Sequence, residues 1–151
     1  MLEKLICLAL SAALMLTGCA SSEPLDQIGA VLGIDLSNAE LIAYEDTHGG
    51  FHGDGYTYAQ IQKPESILGE LAQDEDWCAL PYPSAIAQLV EATADKLIPE
   101  VENGYYFFYD RHSQSTDPKD PSEVNDRGSW NCTLAVYDAQ SGTIYYYKLD
   151  T

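Results

Sequence analysis

Two histidines and two aspartates lie within nine residues of one another in a glycine-rich stretch, Asp46-Thr-His48-Gly-Gly-Phe-His52-Gly-Asp54-Gly. Divalent transition ions accept imidazole nitrogens and carboxylate oxygens as ligands. In an extended chain Asp46 and His48 share a face, and the glycines allow His52 and Asp54 to fold back towards them. The pattern has two interpretations: a metal site of these four residues, or a hairpin connection whose glycines and aspartates supply turn geometry. His-x-x-x-His spacing suits zinc best on a helix, and the glycines between these histidines forbid a helix, which favours the turn.

A second group of residues that could do chemistry is Asp110-Arg111-His112, between an aromatic segment and an acidic loop. An aspartate, an arginine and a histidine together can bind an anion or move a proton. The simpler interpretation is an ion pair that fixes the loop. Motifs that would nominate an enzyme are absent, including Gly-x-Ser-x-Gly, a phosphate-binding loop, Cys-x-x-Cys and His-Glu-x-x-His. The sequence therefore favours a non-enzymatic protein and predicts no cofactor.

The first 19 residues have the organisation of a secretory signal. A polar start containing Lys4 precedes an apolar run from Leu5 to Leu16, which is shorter than the roughly 20 residues that a membrane-spanning helix needs. Leu16-Thr17-Gly18-Cys19 resembles the lipobox of bacterial lipoproteins. The resemblance implies a signal peptide at 1–18, a lipid anchor on Cys19, a lipidated tether at 19–23 and a domain at 24–151. It places the mature protein on the extracytoplasmic face of the cell membrane, where two acyl chains give stable attachment.

Two cysteines, Cys78 and Cys132, remain once Cys7 leaves with the signal and Cys19 carries lipid. Outside the membrane such a pair is read as a disulfide that closes a long loop. The alternative is two buried free thiols. An inward-facing Cys132 on a late strand could meet Cys78 in a link between two helices, and this geometry favours the bridge.

The charge balance restricts the partners. Seven Lys and Arg residues against 24 Asp and Glu residues give a net charge of −17, which argues against nucleic acid because its binding begins with neutralised phosphates. The apolar fraction of 46% is that of a globular chain with one core.

Hydrophobic periodicity predicts the order of elements. Helical spacing begins at Pro24, at Pro64 and at Ser84, and strands are expected at 41–48, 56–62, 105–111, 130–137 and 143–149. The acidic stretch 113–129 is expected to be an exposed loop. The order predicts an α+β fold, an antiparallel sheet of about five strands with two to three helices packed on one face. Some tyrosines would then lie on the opposite face. They either form an exposed aromatic binding face or, as the simpler interpretation, are there because tyrosine favours strands.

Several segments resemble a group of small uncharacterised lipoproteins of Gram-positive bacteria, namely Leu-Gly-Ile-Asp (32–35), residues 46–55, Glu-Asn-Gly-Tyr-Tyr-Phe-Phe (102–108), Asp-Arg-His (110–112) and the end of the chain from Ile144. The resemblance implies only an extracytoplasmic address. We therefore expect a binding module for a protein or cell-envelope ligand that acts through an aromatic sheet face or the acidic loop. The alternative is a metal-binding or metal-dependent protein that uses Asp46, His48, His52 and Asp54.

Overall fold

A computed structural model describes residues 23–151. The predicted signal peptide, Cys19 and most of the predicted tether lie outside the described residues. Within 23–151 the helices are α1 (Glu23–Leu32), α2 (Leu68–Leu71) and α3 (Ser84–Thr93), with a short 3₁₀ helix at Pro121–Glu123. The strands are β1 (Glu40–Asp46), β2 (Gly55–Gln62), β3 (Trp77–Ala79), β4 (Gly104–Asp110), β5 (Asn131–Asp138) and β6 (Thr143–Asp150).

The strands form one antiparallel sheet in the order β1-β2-β6-β5-β4-β3. The predicted α+β class with an antiparallel sheet is confirmed, but the described sheet has six strands rather than about five. The additional strand is β3, a segment that the sequence pattern placed in the link between two helices. It is only three residues long and pairs with β4 at the edge of the sheet, so it offers no periodicity to detect.

The sheet is apolar on both faces. Successive residues of β5 fall in different hydrophobic clusters, Leu134 and Val136 in one and Ala135 and Tyr137 in the other. Because successive strand side chains point to opposite faces, the two clusters lie on opposite sides of the sheet. The buried residues of both clusters lie between 28 and 149, so the described part of the chain supplies its own core.

The helices divide between these two faces. Ile28 and Leu32 of α1 and Leu71 of α2 belong to the first cluster, whereas Ile86 and Leu89 of α3 belong to the second. The expected arrangement with every helix on one face is therefore not found. When both faces of a sheet carry apolar side chains, other elements must pack on both, because an uncovered face would leave apolar surface in contact with water.

Because both faces of the sheet are covered, the tyrosines of β6 do not form an exposed aromatic face. Tyr146 is buried in the first cluster and Tyr147 in the second. The acidic stretch 113–129 also differs from a purely solvated loop. Its Val124 is 2% exposed, and the amide of Asn125 donates a 2.8 Å hydrogen bond to the carbonyl of Ala85 at the start of α3. The loop therefore packs onto α3.

Cys78 and Cys132 do not form the expected disulfide, and both are free thiols in the structure. Cys78 on β3 is opposite Tyr106, and Tyr106 is opposite Val136 on β5. Cys132 is therefore two strands away and four residues further along, a separation of about 16 Å from standard strand spacings. A disulfide needs Cα atoms within about 7 Å. Cys132 faces the core as predicted, but the formation of β3 moves Cys78 to the exposed sheet edge.

Candidate functional site

The first two residues of the predicted histidine–aspartate group come together at the end of β1. Asp46 Oδ1 accepts a 3.0 Å hydrogen bond from the backbone N–H of His48 and lies 2.7 Å from its Nδ1. The other ring nitrogen, Nε2, lies 3.1 Å from Oδ2 of Asp150 on β6. Ionised carboxylates only accept hydrogen bonds, so the imidazolium form of His48 donates both bonds and a neutral ring donates one. Both ring nitrogens are therefore engaged inside the protein.

Arg111 belonged to the other predicted group, yet it binds the same aspartate. Its Nη1 donates a 2.6 Å hydrogen bond to Asp150 Oδ1, and its Nε contacts Thr133 Oγ1 at 3.3 Å. Its Nη2 donates to the backbone carbonyls of Cys132 and Leu149 at 3.1 and 3.0 Å. Asp150 thus contacts both Arg111 and His48. These two residues belong to separate groups in the sequence, and the fold brings them to one place.

The remaining predicted site residues lie elsewhere. His52 and Asp54 are exposed in the β1–β2 connection, where the ring of His52 packs edge-on against Phe51 at 5.1 Å between centroids. His112 Nε2 lies 3.2 Å from Ser129 Oγ. Asp110 is 2% exposed and forms an ion pair with Arg127. That ion pair agrees with the simpler interpretation of the Asp110-Arg111-His112 group as a device that fixes the loop.

Among residues 23–151, no three or more His, Cys, Asp or Glu side chains are grouped so that they could hold a metal ion. The connection carrying His52 and Asp54 is the hairpin turn that was the alternative interpretation, because β1 and β2 pair directly on either side of it. A metal site of Asp46, His48, His52 and Asp54 stays a prediction.

A cavity of about 390 Å³ lies between α1 and the sheet, beside His48 and Arg111. One helix face forms its first wall, through Pro24, Gln27, Ile28 and Val31. The opposite wall is mainly polar. It consists of the strand residues Tyr44, Asp46, Thr57, Thr133, Tyr146 and Lys148, together with His48 and Arg111 just beyond the ends of β1 and β4. The volume of the cavity falls in the range of small-molecule binding sites.

Strand register explains why the cavity has a polar floor. Asp46, Thr57, Lys148 and Thr133 are opposite one another on β1, β2, β6 and β5, and we call them the polar row. The next row on this face is Tyr44, Ala59, Tyr146 and Ala135, which is more apolar and includes two small residues. Ala59, Ala135 and Tyr146 belong to the same core cluster as Ile28 and Leu32 of α1. The helix therefore packs against the apolar row, and the polar row borders the cavity.

The charges of the site follow from its hydrogen bonds. The backbone and side chain of His48 lower the pKa of Asp46 below its ordinary value. Burial alone would raise the pKa of Asp150, but hydrogen bonding and charge attraction from Arg111 outweigh burial and lower it. Burial raises the pKa of the phenols of Tyr146 and Tyr44. At neutral pH the site thus presents ionised carboxylates and protonated phenols, which serve as acceptors and donors respectively.

Several residues at this site had no signal in the sequence taken alone. Tyr44, Thr57, Thr133, Tyr146, Lys148 and Asp150 were not nominated. Alternation along β6 would place Tyr146, Lys148 and Asp150 on one face, but only the pairing of β6 with β2 and β5 brings that face to His48 and Arg111.

Comparison with known proteins identifies no relative: no family model, no curated protein and no solved structure matches the chain. Among the described residues, no helix has the length and apolar character that crossing a membrane requires.

Proposed function

We propose that this protein is a lipid-anchored, extracytoplasmic binding module that holds a small cell-envelope ligand in the cavity beside α1. The address rests on the secretory signal and on the Leu16-Thr17-Gly18-Cys19 motif. The binding role rests on one observation, a cavity whose helix wall is largely apolar and whose sheet wall carries charged and hydroxyl groups. An apolar lining with a few placed polar groups is the usual composition of a small-molecule site.

The contacts of the charged groups support binding rather than catalysis. His48 is the obvious proton-transfer group of the cavity, but both of its ring nitrogens contact carboxylates at 2.7 and 3.1 Å. Arg111 uses its Nε and both terminal nitrogens in hydrogen bonds within the protein. These groups are fixed in place, which preorganises the cavity wall and lowers the entropic cost of holding a ligand.

Both faces of the sheet are covered, which favours a small ligand over a protein partner. The tyrosines that could have formed a flat protein-binding face, such as Tyr146 and Tyr147, lie in the two cores. The concave surface beside α1 is a pocket for a molecule of limited size rather than an extended interface.

Blocking the cavity tests this proposal. Val31 lines the cavity and its side chain is half exposed, so Val31→Trp should fill the space without disturbing the core. Leu68→Trp, on the exposed side of α2, is the matched control because Leu68 is partly exposed and does not line the cavity. Both variants should unfold at temperatures close to that of the parent.

The probe is the soluble muropeptide fraction of muramidase-digested peptidoglycan, mixed with residues 20–151 and analysed by native mass spectrometry. We expect a one-to-one adduct with the parent and with Leu68→Trp, weakened at least tenfold by Val31→Trp. The absence of any adduct, or an adduct that Val31→Trp leaves unchanged, would contradict the proposal.

A further inference from the structure

Two side chains of opposite charge on the cavity wall have hydrogen-bonding capacity left for a ligand. Asp46 uses Oδ1 for both of its contacts with His48, and among the described residues its Oδ2 has no hydrogen-bond partner. Lys148 has three donors and makes one ion-pair contact within the described part of the chain, 3.4 Å from Asp150 Oδ2. The side chains of Asp46 and Lys148 are 43% and 39% exposed, so a ligand can reach both.

The positions of these two residues fit a specific kind of ligand. Asp46 is opposite Thr57, and Thr57 is opposite Lys148, so the two residues lie two strands apart, with about 9.6 Å between their Cα atoms. Since both line one cavity, the carboxylate and the ammonium can each hydrogen-bond one end of a ligand that carries both charges. Between them the hydroxyl of Thr57 lines the cavity and can bind either end.

The opposite wall supplies an apolar contact. Pro24, Ile28 and Val31 of α1 face the polar row across the cavity. An aliphatic side chain placed against this wall would leave water, which favours binding in proportion to the apolar area buried.

Building on the proposed function, we infer that the cavity binds a free α-amino acid group with an aliphatic side chain, its ammonium on Asp46 and its carboxylate on Lys148. A ligand with one charge uses only part of this capacity. An anion gives no donor to Oδ2 of Asp46, and a cation leaves Lys148 with its contact to Asp150 alone. Excluding water from a polar atom without supplying a new hydrogen bond is unfavourable.

Three matched probes separate these possibilities. L-leucine carries both charges, 4-methylpentanoate is leucine without its amino group, and 3-methylbutylamine is leucine without its carboxylate. Titration calorimetry with residues 20–151 should show leucine binding at least tenfold more tightly than either analogue. Equal affinity for leucine and 4-methylpentanoate, or no detectable binding of leucine, would overturn the inference.

Variants assign each end of the ligand. Asp46→Asn should weaken leucine binding about tenfold and leave 4-methylpentanoate binding unchanged. Lys148→Met should weaken leucine and 4-methylpentanoate but not 3-methylbutylamine. Glu45→Gln and Lys96→Met are the controls, because they remove the same charges outside the cavity lining and should leave all three affinities as in the parent. The reverse pattern, or one loss shared by every probe, would contradict the assigned orientation.

The two proposals fail separately. A muropeptide adduct that Val31→Trp weakens, together with no leucine binding, would retain the cavity as a binding site and reject the amino acid class. Leucine binding that Val31→Trp leaves unchanged would place leucine outside the cavity and reject the amino acid inference, whereas the cavity proposal is rejected only by the muropeptide result.

Discussion

Asp110 shows how single residues stabilise this acidic protein. Its side chain is 1% exposed, forms an ion pair with Arg127 and accepts a 3.0 Å hydrogen bond from the backbone N–H of His112. Burial raises the pKa of Asp110, but the Arg127 hydrogen bond and the His112 N–H lower it more, so the pKa ends below its ordinary value of 3.8. A carboxyl with a depressed pKa contributes stability when it is ionised.

The lowered pKa of Asp110 determines how stability depends on acid. The contribution of Asp110 is fully present above the unfolded value of 3.8 and is lost as pH falls through the lower folded value. We expect the free energy of unfolding in urea to decrease below about pH 4. Asp110→Asn should lower stability at pH 7 by about 3 kcal/mol, because it leaves the charge of Arg127 unpaired, and should make the decrease in acid shallower. Asp95→Asn, at an exposed position, should match the parent, and a parent-like acid slope in Asp110→Asn would contradict the argument.

At the scale of elements, the two faces of the sheet give the two cysteines different environments. Cys132 on β5 is 1% exposed, and burial raises the pKa of its thiol to about 12. Cys78 on β3 is exposed at the sheet edge. Reactivity towards alkylating agents requires the thiolate and access to it.

Native alkylation therefore distinguishes the two thiols. Iodoacetamide should modify Cys78 in folded residues 20–151 without prior reduction and should reach Cys132 only after unfolding. Peptide mass spectrometry assigns the sites. Finding no alkylation in unreduced, denatured protein would indicate a disulfide between Cys78 and Cys132 and contradict the strand pairing of β3.

The start of β4 requires a glycine. Gly104 has φ of +151°, and a Cβ added there would lie 1.8 Å from the carbonyl oxygen of Tyr137. The Gly104→Ala variant must therefore shift backbone at the β4–β5 pairing, and we expect a loss of at least about 3 kcal/mol in urea unfolding. Gly128→Ala has no atom within 4 Å of its added Cβ and should stay within about 0.5 kcal/mol of the parent. Equal stability of the two variants would refute the close approach.

For the whole molecule, the charge of −17 makes electrostatic attraction to an anionic membrane unfavourable. We therefore expect any membrane attachment to depend on the lipid that the motif at Cys19 predicts. Lipid attachment is stable with two acyl chains and marginal with one, so we expect the predicted anchor on Cys19 to determine where the proposed binding module works.

Removing the anchor should release the protein. Cys19→Ala is expected to abolish incorporation of labelled palmitate and to move the protein out of the membrane fraction. Cys78→Ala is the matched control and should remain lipidated and membrane-bound. A Cys19→Ala protein that stays in the membrane with an unprocessed signal would contradict the lipobox assignment.

Local pattern in the sequence was sufficient for much of the fold. Alternation in Tyr56–Gln62, the aromatic run from Tyr105 and the glycine-rich connection predicted β2, β4 and the hairpin, because strand propensity and turn chemistry act over a few neighbouring residues. Helical periodicity also located α1 and α3. The stripe beginning at Ile67 is helical only for Leu68–Leu71.

Only the tertiary structure decided which faces and which distant residues meet. Thr133 and Ala135 alternate with larger apolar residues along β5, a pattern that points to the less covered face of a strand, yet Ala135 lies in the first core cluster and Arg111 contacts Thr133. His48 and Asp150 are 102 residues apart in sequence, and their contact depends on β6 pairing between β2 and β5. Periodicity specifies which residues of a strand share a face, whereas strand order and register depend on the packing of the whole chain. For that reason the sequence suggested the chemistry of His48 and Arg111 separately, and the fold alone combined them at one cavity.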